Sequence, residues 1–305
     1  MKRLLLILVL IVVILSGAYA AFVYSLVHRG DLSFARGEYD QAIQRYTKAL
    51  RLPPTCASAT FKRGLAYREK GEYDLAIQDF TRAIELKPDS AEAYKDRGIA
   101  YGRKEEFDQE INDYAKAVEL DPQYAVAYFN RGVAHGRKKD YDQAIQDYTK
   151  AIELDSAYAK AYNNRGFAYL KKEMYAEAIL DCTKAIQLDP TYTKAYNNRG
   201  NAHSAKEEFD LAIQDYDKAI ELDPKLAEAY SNRGLVYFGK GLQDRAVADF
   251  DRAIELDPGS PSAYYNRGFM YLQTGEKGQA NLDLLNACGM GYVRACDLLV
   301  DMGGT

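Results

Sequence analysis

An Arg-Gly dipeptide recurs along this 305-residue chain at a constant spacing. Each glycine follows the previous one by 34 residues, and the eight are Gly30, Gly64, Gly98, Gly132, Gly166, Gly200, Gly234 and Gly268. Every interval holds two amphipathic helical patterns, and a unit of this size buries its apolar face only by stacking on a neighbour. The period therefore predicts an all-α solenoid, with any functional site on the surface of the stack.

The residues of one repeat have mechanical roles that explain their spacing. With Ala57 as position 1 of a repeat, Gly64 and Ala76 are small where the two helices press together. Phe80 is large where the seam between them must be filled, and Pro88 ends the second helix. Each repeat is thus predicted to be a helix, a turn and a second helix.

The pattern of these positions resembles a known repeat family. In residues 91–124, positions 4, 8, 11, 24, 27 and 32 hold Tyr94, Gly98, Tyr101, Tyr114, Ala117 and Pro122, and only Glu110 departs, at position 20. This resembles the tetratricopeptide repeat, over residues 23–294. The resemblance implies a right-handed superhelical solenoid of eight helix-turn-helix repeats, followed by a capping helix and tail at residues 292–305.

The first residues form an export or membrane signal. Lys2 and Arg3 precede residues 4–27, a run of 24 residues without a charge. One interpretation is a cleaved signal peptide, with Ala18-Tyr19-Ala20 as the cleavage site, and a secreted mature protein. The other is a retained anchor over residues 1–22, long enough with the following residues to span a bilayer. The apolar sequence after Ala20 favours the anchor, with the repeats extracytoplasmic, in the periplasm if the source is bacterial.

The cysteines do not suggest catalysis. Cys182 occupies position 24, where other repeats have an aromatic residue, so it is predicted to be a packing residue. Cys288 and Cys296 flank seven residues, a spacing similar to that of Sel1-like repeats, in whose exported members such pairs bridge two helices. The resemblance implies a disulfide, and the alternative is a pair of small core residues.

No residue set in the sequence has the spacing of an active site or a metal site. His135 and His203 both hold position 11, which is Tyr in most other repeats, so both are predicted to pack. We therefore expect a protein that is not an enzyme and has no cofactor. The Sel1-like tail suggests an alternative, a hydrolase of envelope polymers. The net charge of −4 gives no basic field, so nucleic acid is not an expected partner.

Two oppositely charged positions recur together along the chain. Position 7 is Arg in every repeat, and position 23 is Asp in all repeats except the first, which has Arg45. The joint recurrence of opposite charges predicts an ion pair between the two helices of one repeat, which specifies register more than it adds stability.

The resemblance implies that the first helix of each repeat lines a concave groove, through positions 2, 5, 6, 9, 12 and 13. Position 6 is an amide in five consecutive repeats: Asn130, Asn164, Asn198, Asn232 and Asn266. This is similar to the asparagine ladder of the O-linked N-acetylglucosamine transferase superhelix, which holds a peptide main chain through donor and acceptor groups. The alternative is that Asn is merely a polar residue on an exposed face.

Basic residues concentrate on the same groove positions, namely Lys95, Lys160, Lys194, Arg103, Arg137 and Lys171. Lys95, Asn130 and Lys160 match the carboxylate clamp of chaperone-binding relatives, whereas Ile99 and Asn164 do not. Apolar residues such as Phe129 and Phe167 supply further contact area. We expect the groove to bind an acidic or C-terminal peptide segment of a protein partner. Self-association with another copy of the chain is the remaining alternative.

Overall fold

The computed structural model of the chain describes residues 2–52 and 56–303, with side chains from residue 19 onward. These residues form seventeen α-helices and no strand. The helices group into two compact units, Met1–Leu154 and Asp155–Thr305. The expected all-α class, built from helix-turn-helix repeats, is confirmed in each unit.

The helices of the first unit are α1 (Lys2–Ala35), α2 (Tyr39–Leu50), α3 (Ala57–Glu69), α4 (Tyr73–Leu86), α5 (Ala91–Arg103), α6 (Phe107–Leu120), α7 (Ala125–Arg137) and α8 (Tyr141–Leu154). Those of the second unit are α9 (Ala159–Lys171), α10 (Tyr175–Leu188), α11 (Thr193–Ala205), α12 (Phe209–Leu222), α13 (Ala227–Gly239), α14 (Gln243–Leu256), α15 (Pro261–Gln273), α16 (Lys277–Gly289) and α17 (Val293–Asp301). Odd-numbered helices up to α15 are the first helices of repeats, and each packs on the even-numbered helix that follows.

Glycine at position 8 permits the close crossing of the two helices in a repeat. A Cβ atom added to Gly64 would lie 2.8 Å from Cε1 of Phe80, and one added to Gly200 would lie 2.7 Å from Cε1 of Tyr216. Both distances are shorter than those observed between real Cβ atoms and their neighbours. The ring at position 24 therefore fills the space that a side chain at position 8 would need, which is the mechanical role predicted for this glycine.

The turn between the two helices requires a left-handed residue at position 15. Gly71 has a φ of 79°, and the next amide, that of Glu72, donates to the carbonyl of Tyr67 at 2.9 Å, which closes the first helix. Four repeats place a residue with a side chain in this conformation, namely Glu105, Lys139, Glu173 and Glu207, with φ of 59° to 62°. Each of these residues costs stability of about 1 kcal/mol relative to glycine.

The last helix closes the stack at its C-terminal end. Ala295 and Leu299 of α17 pack against Leu284 and Ala287 of α16. Cys288 and Cys296 form a disulfide that joins the same two helices. Cys182, in contrast, is a buried free thiol, in agreement with its predicted packing role.

The N-terminal helix α1 is continuous from Lys2 to Ala35. Its Val27 and Phe34 pack against Tyr46 of α2, so its C-terminal half is the first helix of the first repeat. The predicted anchor at residues 1–22 falls mainly on residues 1–18, whose side chains lie outside those described. From residue 19 onward, where side chains are described, no helix is both long and apolar enough to cross a membrane.

Candidate functional site

The predicted ion pair between positions 7 and 23 is confirmed in the second to eighth repeats. The pairs are Arg63–Asp79, Arg97–Asp113, Arg131–Asp147, Arg165–Asp181, Arg199–Asp215, Arg233–Asp249 and Arg267–Asp283. In each, the guanidinium donates two hydrogen bonds to the two oxygens of a buried carboxylate, as Arg97 does to Asp113 at 2.7 and 2.8 Å. The guanidinium donors are therefore used within the stack.

Several of these arginines also connect neighbouring repeats. Arg97 donates a further hydrogen bond to Oγ1 of Thr81, in the preceding repeat, at 3.0 Å. The rings of Tyr94 and Tyr101 lie 5.5 and 5.9 Å from its guanidinium carbon. The side chain is therefore held by an ion pair, a hydroxyl and two aromatic faces.

Three of the position-6 amides connect neighbouring first helices in the second unit. Their Nδ2 atoms donate to the preceding repeat: Asn198 to Oδ1 of Asn163 (3.0 Å), Asn232 to Oδ1 of Asn197 (3.3 Å) and of Asn201 (3.0 Å), and Asn266 to Oγ of Ser231 (3.2 Å). The receiving residues at positions 5 and 9 were not among the predicted site residues. The receiving residues at position 5 have a signal in the sequence, because a polar residue lies 35 residues before each of these three asparagines.

The expectation that this amide ladder faces solvent is wrong for Asn198, which is only 8% exposed. Asn164 and Asn130 are half-buried, and Asn164 accepts a hydrogen bond from its neighbour Asn163 at 3.1 Å. Because Nδ2 of Asn198, Asn232 and Asn266 donates to the preceding repeat, these three residues help to hold the stack in register. A role of the row in peptide binding stays a prediction.

In the second and third repeats, charged residues at position 6 make the connection to the preceding repeat. Lys62 bonds to Asp31 of the preceding repeat at 2.7 Å. Asp96, which is buried, bonds to Arg68 of the preceding repeat and to Lys95 at 3.0 Å. Burial alone would lower the pKa of Lys95, but Asp96 and Tyr124 more than offset burial and raise it.

A role of Lys95 in peptide binding stays a prediction. Its ammonium group is charged, but it neutralises Asp96 inside the stack. Lys95 therefore shares with Arg68 the compensation of a buried carboxylate, which is a structural role.

Glu110, the one departure from the repeat pattern in its unit, is a buried carboxylate. It is 3% exposed, and among the described residues its Oε2 has no hydrogen-bond donor. Its carboxyl group occupies the space over Gly102, where an added Cβ would clash with Oε1. Burial raises the pKa of Glu110, and Arg137, with Nη1 at 3.5 Å from Oε2, partly offsets that rise. The predicted groove cation Arg137 thus compensates a buried acid of the neighbouring repeat.

The other predicted cations are exposed. Arg103 lies at the end of α5 in the first unit, and Lys160 and Lys194 lie at the starts of α9 and α11 in the second. The ammonium nitrogen of Lys171 lies 5.1 Å from the centre of the Phe167 ring. Three exposed lysines therefore occupy the first helices of two consecutive repeats in the second unit.

A recess on three consecutive first helices brings part of this set together. We call it the asparagine recess; its volume is about 230 Å³, and its lining residues are Asn163, Asn164, Phe167, Lys194, Asn197, Asn198, Leu226 and Glu228. Asn163, Asn197 and Asn198 are buried and form its floor, whereas Phe167, Lys194 and Glu228 are exposed on its rim. Lys160 lies elsewhere, in a second recess beside Asp189 and Tyr192.

The histidines have partners within their own repeats. Nδ1 of His203 lies 2.6 Å from Oε2 of Glu208, and Nε2 of His135 lies 3.9 Å from Asp147. Burial lowers the pKa of His135, and Asp147 partly offsets that effect. Within the part of the chain that the structure describes, no group of three or more His, Cys, Asp or Glu side chains has the arrangement of a metal site.

Family models agree with this architecture along most of the chain. Models of the tetratricopeptide repeat match residues 28–91, 62–125, 125–158, 159–192, 227–260 and 250–280, and a model described as TPR repeat matches residues 200–241. The chain belongs to the tetratricopeptide-repeat proteins. The likeness of its tail to Sel1-like repeats stays a prediction. No curated protein matches the sequence.

Solved structures of other tetratricopeptide-repeat (TPR) proteins share the fold. A TPR protein from Parabacteroides merdae is 20% identical, with a TM-score of 0.69 over 80% of this chain and 97% of its own. A chain of the APC/C hetero-tetramer Cut9-Hcn1 is 20% identical, with a TM-score of 0.66 over 90% of this chain, which spans 54% of that one. YrrB, described as a TPR protein with an unusual peptide-binding site, is 27% identical, with a TM-score of 0.51 over 60% of this chain and 95% of its own.

Proposed function

We propose that this TPR protein is a non-catalytic scaffold that holds an extended peptide segment of a partner protein in the asparagine recess. The observation that carries the proposal is the composition of the recess, which places an exposed aromatic ring and an exposed lysine above a floor of amides. The peptide-binding site reported for YrrB supports the same use of the fold. The hydrolase suggested by the tail has no supporting observation.

The chemistry of the rim indicates what such a segment contains. Phe167 is 42% exposed and forms an apolar surface together with Leu226. Lys194 on α11 and Lys171 beside the ring supply positive charge, so an acidic group next to an apolar side chain fits this side. The floor amides offer acceptor oxygens to the N–H groups of an extended main chain. Glu228 on the opposite rim disfavours a second acidic group there.

The first prediction tests the recess directly, by photo-crosslinking in the native cells. A photoreactive residue replaces Phe167 in the 305-residue chain, and in a matched control it replaces Leu180, which is 71% exposed on α10. We expect crosslinks to a protein from position 167 that are absent from position 180. The charge change Lys194→Glu should lower the yield about tenfold, because a charge pair at the rim becomes a repulsion.

The control for the charge is Lys184→Glu, an exposed lysine of α10 in the same unit, which should leave the yield unchanged. If positions 167 and 180 capture the same proteins, or if both lysine changes act alike, the recess is not the binding site.

We further propose that the N-terminal segment is retained and tethers the repeats to a membrane, with the repeats outside the cytoplasm. The support comes from the uncharged run over residues 4–27 and from the continuity of α1, within which a cut after Ala20 would fall. The Cys288–Cys296 disulfide fits an oxidising compartment.

Edman sequencing of the protein from its native membranes tests the tether. We expect a mature N-terminus before Ala18, and a chain that stays with the membranes in alkaline carbonate. A mature chain that begins at Ala21 would contradict the tether and leave export intact.

A further inference from the structure

The outer face of α16 differs from the same face of the other second helices. In α4 the residues of this stripe are Asp74, Gln78, Thr81 and Glu85. The corresponding stripes of α6, α8, α12 and α14 also begin with Asp and end with Glu. In α16 the corresponding residues are Gly278, Leu282, Leu285 and Gly289. The leucines are 64% and 52% exposed, and a Cβ added to either glycine would have no atom within 4 Å. An apolar stripe in place of a charged one indicates an interaction surface.

This stripe is self-complementary. Its exposed residues at 278, 281, 282, 285, 286 and 289 are Gly, Asn, Leu, Leu, Asn and Gly, which is the same order in both chain directions. A second α16 related by a twofold axis and running antiparallel would place leucine on leucine, asparagine on asparagine and glycine on glycine. A twofold interface requires this, because the same patch must match itself.

We propose that two copies of the chain associate through antiparallel packing of their α16 helices. The electrostatics favour this arrangement, since each helix N-terminus, with Lys277, lies beside the carbonyl end of the other helix. Asp283, the other charged residue of α16, is buried and bound to Arg267 at 2.7 Å. No like charges of the two helices therefore oppose each other. The terminal glycines allow a short interaxial distance, of about 8 Å.

The size of the contact determines the expected affinity. A helix of 13 residues is about 20 Å long, so one helix pair buries less area than a standard stable interface of about 1,600 Å². We expect a dimer that is populated at tens of micromolar and above. The proposal does not depend on the asparagine recess, which lies on different helices.

Sedimentation equilibrium of the purified 305-residue chain in a mild detergent, with the detergent mass subtracted, tests the dimer. The apparent mass should rise with concentration from 34.3 kDa toward twice that value. The double change Leu282→Gln, Leu285→Thr introduces the residues of α4 at both positions and should weaken dimerisation at least tenfold. Leu180→Gln removes an equally exposed leucine from α10 and should have no effect. A parent chain that stays monomeric, or a double variant that dimerises like the parent, would overturn the proposal.

Cysteine crosslinking tests the register, in a Cys56→Ser background that removes the partly exposed free thiol. Asn281 of one copy is predicted to lie opposite Asn286 of the other. A mixture of Asn281→Cys and Asn286→Cys chains should therefore form an oxidised heterodimer within minutes, and neither chain alone should crosslink at that rate. Equal crosslinking in all three samples, or none in the mixture, would contradict the antiparallel twofold arrangement.

Discussion

Replacing Arg97 with methionine should lower the free energy of unfolding by about 3–5 kcal/mol, the usual cost of stranding a buried charge. The guanidinium makes two hydrogen bonds to Asp113, which is buried, and one to Thr81. Methionine fills similar space between the two tyrosine rings but leaves the carboxylate of Asp113 without its donors. Equilibrium unfolding in urea, followed by far-UV circular dichroism, measures the loss.

The loss should depend on pH in a defined direction. Burial raises the pKa of Asp113 above its ordinary value, and Arg97 opposes this rise in the parent chain. Without Arg97 the pKa of Asp113 rises further, so the folded state favours the protonated acid. Stability is then retained at low pH and is lost as pH increases through the raised pKa. We expect the difference between parent and Arg97→Met to be largest at neutral pH and smaller in mild acid.

A double variant separates the stranded charge from the loss of packing. Arg97→Met with Asp113→Leu replaces the ion pair by two apolar side chains, and such replacements are often neutral. We expect its free energy of unfolding to return to within about 1 kcal/mol of the parent value, with no pH dependence from this site. If the single and double variants are equally unstable, the cost arises from packing and not from the unpaired carboxylate.

The Arg97–Asp113 pair was predictable because its signal is periodic. Both partners lie in one repeat, 16 residues apart, and the same pair of residue types returns at every later repeat. The position-8 glycines and position-24 rings were predictable for the same reason. When the repeats are written one below the other, a contact that recurs in each repeat appears as two columns, that is, two positions with the same residue types throughout. The physical role of each column follows from the size and charge of its residues.

The contacts between neighbouring repeats could not be predicted in this way. The partner of Asn198 is Asn163 in the preceding repeat, whereas Lys62 in the same column bonds to Asp31 and Asp96 bonds to Arg68. The residue at position 6 changes from charged in the second and third repeats to an amide in later repeats, so this position alone does not reveal its partners. Assigning Asn198 to an exposed ladder assumed that position 6 faces solvent.

The rim of the asparagine recess was only partly predictable for a related reason. Phe167 and Lys194 hold groove positions of their repeats, and Glu228 holds the same position 2 as Lys194, but Leu226 lies just before α13, outside the positions used to choose site residues. Which side chains share one recess depends on the packing of three successive repeats.

Replacing Gly200 with leucine should lower the free energy of unfolding by about 3 kcal/mol. Even the first added carbon would lie 2.7 Å from the ring of Tyr216, so the side chain cannot enter without moving that ring. The matched control is Gly239→Leu at the end of α13, where an added Cβ would lie 3.8 Å from its nearest neighbour, an ordinary contact. An exposed change of that kind should alter stability by about 0.5 kcal/mol or less.

Displacement of Tyr216 should also loosen the following repeat. Its hydroxyl donates to Oδ1 of Asn201 at 2.8 Å, and the same oxygen accepts from Asn232 on α13 at 3.0 Å. Moving the ring removes one of the two bonds that hold Asn201 and so weakens the link between α11 and α13. Hydrogen exchange should therefore accelerate in α11, α12 and α13 of Gly200→Leu, and less in α15 to α17, because each repeat is stabilised mainly by its neighbours. Uniform acceleration over all these helices would contradict this link and indicate that the repeats of this unit unfold as one body.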